Sequence, residues 1–163
     1  MKLKHLFIAR HALHFETHHK GISPDGIKQM QSFARFVRSI IGENNNIKIL
    51  ASNELRSSHS AQVIADMLGI SHRCIECDDI LFSSDAIKPR LEEALELINQ
   101  EVDEVVIVVT HLEYTRDLPS HFGTRVLNTT TFPVCKLEKG EAWAINCNPV
   151  EIQKFTPPKQ YAT

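Results

Sequence analysis

The run Val105-Val106-Ile107-Val108-Val109 constrains this chain more than any other stretch, because every one of its residues is branched at Cβ. Branching there restricts χ1 and suits the pleated backbone of a strand. A short apolar run without polar alternation is buried on both faces, as are the strands of a parallel sheet covered by helices. Residues 3–9 carry the same signature, with Leu6-Phe7-Ile8-Ala9 between polar neighbours, and residues 47–51 give a further strand.

Between these runs the period changes. Ser23 is placed to cap a helix with Pro24 in its first turn, where the missing N–H costs nothing. Ile27, Met30, Phe33, Val37, Ile40 and Ile41 share one face of that helix, and Gly42 is the expected stop. A second helix is predicted over residues 57–68, with Ala61, Ile64, Ala65 and Leu68 as its apolar stripe and Gly69 behind it. A third runs from Pro89 to Val102 with Leu91, Ala94, Leu95 and Ile98 inward, and residues 73–76 read as a short edge strand. Strand and helix thus alternate as in an α/β domain. Beyond His111 the alternation gives way to an expected hairpin, Val134–Leu137 with Ala142–Asn146 around Glu138-Lys139-Gly140-Glu141. Residues 1–155 are read as one domain, and 156–163 as a mobile tail with little to bury.

Hydrophobic residues make up 42% of the chain and charged residues 23%, with a net charge of -2, so the basic excess of a nucleic-acid binder is missing and any cationic site must be local. No stretch approaches the roughly 18 apolar residues of a membrane span. Arg10 and His11 interrupt the first apolar run too early for a signal core. Cys74, Cys77, Cys135 and Cys147, with no secretory signal before them, are expected as reduced thiols. The expectation is a cytoplasmic protein with neither nucleic acid nor membrane as partner.

Each strand-like run delivers a cation or an imidazole at its end. Residues 3–9 lead into Arg10-His11-Ala12, the valine run into Thr110-His111, and Ile49-Leu50-Ala51-Ser52 reaches Arg56 within a few residues. Open α/β sheets bind ligands at the C-terminal ends of their strands. Arg56 also stands near a helix N-terminus, whose free N–H groups favour an anion. Together these residues outline a phosphate site. Arg10 and Arg56 can each donate bidentate hydrogen bonds to phosphoryl oxygens, and a protonated His111 can add another. A neutral His11 has a ring nitrogen able to attack phosphorus, provided its other nitrogen donates to a partner, such as a backbone carbonyl, that holds the tautomer.

These segments resemble the histidine phosphatase superfamily, which has the phosphoglycerate mutase-like fold. Its first strand ends in Arg-His-Gly, here Arg10-His11-Ala12, and its helix entry Leu-Thr-x-x-Gly is similar to Ile22-Ser23-Pro24-Asp25-Gly26. Its Ser-x-x-x-Arg-x-x-x-Thr-Ala element is similar to the stretch from Ser52 through Arg56 to Ala61, and its late Gly-His or Ser-His to Thr110-His111. The size and spacing look most like the short SixA-type phosphohistidine phosphatases. The resemblance implies a single-domain three-layer α/β/α architecture on a mainly parallel sheet. It implies His11 as the nucleophile that becomes a phosphohistidine, a phosphate pocket of Arg10, Arg56, His11 and His111, and neither metal nor cofactor. A phosphohistidine or phosphoprotein substrate is implied ahead of a small phosphate ester, because only residues 78–90 and one helix stand where larger members insert a lid.

Some positions depart from that pattern. Ala12 replaces the usual Gly, and Ser60 the usual Thr. The Leu-x-Glu motif that supplies the proton donor in mutase-like members is missing, which leaves Asp78, Asp79, Asp85 and Glu113 as candidates. Asp85 is the expected acid, because its loop can reach the phosphate. The missing motif also keeps open a protein that binds phosphorylated partners without turnover, and the family itself includes small-molecule phosphatases and mutases. A zinc hydrolase drawing on His14, His18, His19, Cys74 and Cys77 fits poorly, since no second ligand pair stands at zinc spacing. His14 or His18 is expected instead at the rim of the pocket.

Overall fold

The valine-rich run lies between the two other predicted strands. In the computed structural model, which describes residues 2–16, 21–44 and 46–159, the elements follow in chain order. They are β1 (His5–Arg10), α1 (Pro24–Ile41), β2 (Ile47–Ala51), α2 (Leu55–Leu68), β3 (Ile75–Cys77), α3 (Leu91–Asn99), β4 (Val105–Thr110), α4 (Leu112–Arg125), β5 (Ala142–Cys147) and β6 (Val150–Phe155). One six-stranded sheet has the order β3-β2-β4-β1-β5-β6. Strands β3, β2, β4 and β1 are mutually parallel, and β5 and β6 add antiparallel pairs at the far edge.

Side chains along a strand alternate between the two faces of the sheet. Phe7, Ala9, Ile49, Ile107 and Val109 pack on one side with Met30 and Phe33 of α1 and Ala61 and Ile64 of α2. Leu6, Ile8, Leu50, Val106 and Val108 pack on the other with Ala94 and Leu95 of α3 and Tyr114, Leu118 and Phe122 of α4. The architecture is therefore three-layered, α/β/α, and all of β4 is buried. Ser23 caps α1 as the sequence predicts, its hydroxyl accepting the Gly26 N–H at 3.2 Å with Pro24 in the first turn. Gly26 also lets the chain pass closely here. A Cβ there would stand 2.0 Å from the carbonyl oxygen of Leu13, so only glycine allows the segment after β1 to lie on this turn.

The hairpin expected from Val134–Leu137 with Ala142–Asn146 does not form. Both edges of β5 are taken, by β1 and by β6, and residues 131–138 run as irregular chain. The hairpin is β5–β6, joined at Asn148-Pro149. Strand β6 escapes a periodicity reading because most of its residues are exposed, leaving no alternation to read. Helix α4 was also not expected. Its Pro119 argues against a helix, since proline has no N–H for the carbonyl four residues back. That carbonyl belongs to Thr115, and the buried Trp143 indole N–H donates to it at 3.0 Å in place of the missing bond.

Of the expected tail, Thr156 donates to Glu141 at 2.8 Å, while residues 160–163 lie outside the described residues. The four cysteines are free thiols. Among the described residues no helix is long and apolar enough to cross a membrane.

Candidate active site

Register brings the candidate residues together. Arg10 lies opposite Thr110 in the β1–β4 ladder, and the His11 N–H donates to the Thr110 carbonyl at 3.0 Å. On the other side of β4, the Ser52 N–H donates to the Val109 carbonyl at 3.1 Å. The first residues beyond β1, β4 and β2 therefore meet at one end of the sheet. The rings of His11 and His111 lie 5.3 Å apart, centre to centre, with their planes at 63°. Each residue is only 3% exposed.

The His11 Nδ1 lies 3.1 Å from the carbonyl oxygen of Ala12. A carbonyl can only accept, so Nδ1 carries the proton and Nε2 keeps its lone pair. Burial pushes the His11 imidazole down to about 2; the bond to Ala12 works against this, and His111, Arg56 and Arg10 add to it. Burial, followed by Arg56 and Arg10, pushes His111 down to about 3. Burial thus favours the neutral form of both rings at pH 7 in the absence of an anion. An anion set between the guanidinium groups works in the opposite direction. The His111 ring is fixed by Ser52, whose hydroxyl lies 2.7 Å from Nε2, and by Phe82, packed edge-on at 5.0 Å.

The Arg10 cation is held by the backbone. Arg10 Nη1 donates to the carbonyl of Leu137 at 2.8 Å, so the irregular segment before β5 anchors the guanidinium. Ser60 ties the two arms of the pocket, accepting the Ala12 N–H at 3.1 Å and donating to the Arg56 carbonyl at 2.6 Å. Ala12 is fully buried and does not adopt a positive φ, so alanine serves there in place of glycine. Three polar atoms around this point are buried without a hydrogen-bond partner among the described residues: Arg10 Nε, Arg56 Nε and Ser57 Oγ. Unpaired buried donors are costly and rare. Burial and the neighbouring Arg56 lower the pKa of Arg10, against the pull of Glu138, Glu113 and Glu141. Lys139 adds further positive charge, its pKa lowered by burial and then by Arg10 and Arg56. Such a cluster suits an anion with several oxygens.

Solved structures place the fold. A protein histidine phosphatase SixA, solved with tungstate, matches 94% of this chain and 97% of its own at a TM-score of 0.67 and 15% identity. The fold is that of the histidine phosphatases. A protein from Agrobacterium tumefaciens, assigned as phosphohistidine phosphatase SixA, matches 94% of this chain and 98% of its own at 0.62 and 14%. The phosphoglycerate mutase of Plasmodium falciparum matches 94% and 89% at 0.55 and 15%. No protein-family profile matches the sequence, and no curated protein does.

Within this histidine phosphatase fold, the candidate acids separate. Asp85 is exposed on the tight turn from Ser84 to Ile87. Asp78 commits its side chain to the Ile80 N–H at 2.9 Å. Glu113, in the first turn of α4, accepts a 2.7 Å hydrogen bond from Ser83 and acts electrostatically on Arg10. His14 stands at the rim with its ring 5.3 Å from that of His11, whereas His18 and His19 lie outside the described residues. Cys74 and Cys77 sit at the edge strand β3. Among the described residues no group of three or more His, Cys, Asp or Glu is placed to hold a metal ion. Sequence reasoning missed Lys139, Phe82 and the positioning role of Ser52. For Ser52 a signal existed, since it opens the Arg56-bearing element; Lys139 and Phe82 carry none.

Proposed function

We propose that this protein is a metal-independent phosphatase that works through a phosphohistidine on His11, with phosphohistidine or other phosphoprotein substrates. The observation that carries the reading is the state of His11. It is a buried, neutral imidazole whose Nδ1–H is fixed on Ala12, beside two guanidinium groups with unpaired buried N–H donors.

The Nε2 lone pair of His11 attacks phosphorus, the bond from phosphorus to the leaving nitrogen or oxygen breaks, and the leaving group takes a proton. Arg10 and Arg56 bear the charge that spreads over the equatorial oxygens. Glu113 is the acid proposed for the first step, in place of Asp85, and the base that then takes a proton from water as it attacks the phosphohistidine. Inorganic phosphate leaves and His11 is regenerated. The likeness to a histidine phosphatase solved with tungstate, a tetrahedral oxyanion, supports this reading.

The test is His11→Ala. Turnover of a phosphohistidine protein and of an aryl phosphate should fall by about a thousandfold or more while cooperative unfolding is retained. Wild-type enzyme quenched during turnover should carry a phosphoryl group stable to alkali and labile to acid. Near-normal turnover by the alanine variant would remove His11 from the mechanism.

A further inference from the structure

Beside the phosphate pocket lies a groove of about 440 Å³ whose wall includes Leu55, Phe82 and Ile87. Leu55 immediately precedes Arg56, and Phe82 packs on His111, so the groove continues directly from two members of the pocket. Leu55 is 43% and Ile87 49% exposed, large apolar side chains turned to solvent next to a polar site. Leu55 opens α2, and the loop that presents Phe82 and Ile87 is built rather than slack. The Thr110 hydroxyl donates to the Leu81 carbonyl at 2.5 Å, Tyr114 joins the Ile80 carbonyl to the Arg90 N–H, and Ser84 and Ile87 bond to each other through their backbones. A rigid loop that holds apolar surface in water loses little further entropy when a ligand covers that surface.

The geometry points to this groove as the specificity site for a phosphorylated polypeptide: it takes the apolar side chain of the residue next to the one whose phosphoryl group enters the pocket. This rests on the phosphatase reading for the pocket. Charge argues for a peptide and against a small metabolite. Glu54 and Asp79 line the groove, and its cation, Arg90, is already paired with Glu93. A second carboxylate or phosphate on a small substrate would face these acids, whereas an apolar side chain finds Leu55, Phe82 and Ile87.

The test uses labelled peptides carrying a phosphoryl-triazolylalanine, a stable stand-in for phosphohistidine, with Leu, Ser or Glu as the next residue. Fluorescence anisotropy should give about tenfold tighter binding for the Leu peptide than for the Ser peptide, as burial of one aliphatic side chain allows, with the Glu peptide weakest. In the double variant Leu55→Ser, Ile87→Ser the Leu preference should shrink below about twofold while inorganic vanadate binds as before. Equal binding of the Leu and Ser peptides to the wild type, binding of the Glu peptide as tight as the Leu peptide, or a preference that survives in the double variant would each overturn the assignment. If the double variant does not fold, the ranking of the three peptides on the wild type decides. Failure of the phosphatase reading looks different: a clear peptide ranking with no turnover of any phosphorylated substrate.

Discussion

A single hydrogen bond decides what His11 can do. Because Nδ1 is committed to the Ala12 carbonyl, Nε2 is the only atom of that ring with a free lone pair. Glu113 stands in a comparable relation to Arg10, close enough to act on it while bonded to Ser83. If it is the proton donor, Glu113→Gln should lower kcat for an alkyl phosphate by about a hundredfold. A phosphohistidine, whose activated P–N bond needs less help, should lose less, and Asp85→Asn should change neither. Steady-state kinetics on the two substrates checks this; equal losses on both, or a large loss in Asp85→Asn, would remove Glu113 from that role. At this scale the sequence was most readable for residues that directly follow strands. Arg10 ends β1, and His11 and His111 directly follow β1 and β4, so naming the strands placed them. Asp85 and Glu113 could not be ranked in that way, because the path of residues 78–90 depends on contacts from Thr110 and Tyr114 that no periodicity records.

At the scale of elements, α4 shows how a tertiary contact can override local chemistry. Tyr114, Leu118 and Phe122 recur on one face, with Pro119, a helix breaker, among them. The bond from Trp143 to the Thr115 carbonyl is the compensation, and it comes from β5, far along the chain. Trp143→Phe keeps most of the apolar volume but leaves that carbonyl without a donor. It should destabilise the protein by about 1–3 kcal/mol in denaturant melts. A loss well below this range would mean that the proline position is tolerated without the indole. The β5–β6 hairpin escaped for the opposite reason: β6 is exposed along most of its length, and an edge strand that buries little leaves little pattern.

For the whole molecule, two buried neutral imidazoles impose a pH dependence. Unfolded, His11 and His111 take up protons as pH falls through about 6.5. Folded, burial holds them neutral down to about 2 and about 3. The unfolded chain therefore binds more protons throughout that interval, and stability rises with pH across it. Tm should fall between pH 7 and pH 5, and it should fall less in His111→Asn, which removes one of the two groups. Equal slopes for wild type and variant would assign the pH dependence to other residues. The α/β alternation and the burial of the valine run on both faces were legible from the residues themselves, while the three-layer arrangement came with the family resemblance.

The order β2-β4-β1 also has a consequence in time. The two earliest long strands never touch; the strand that joins them is made of residues 105–110, after three helices have been passed. His11 and Arg56 are therefore brought to one site only through β4, which pairs with both their strands. Closing that gap requires contacts of long sequence separation, whose loop entropy is lost before any pairing is gained. A chain that ends before Val105 therefore lacks the strand that joins β1 to β2, and holds its two arginines without a site between them.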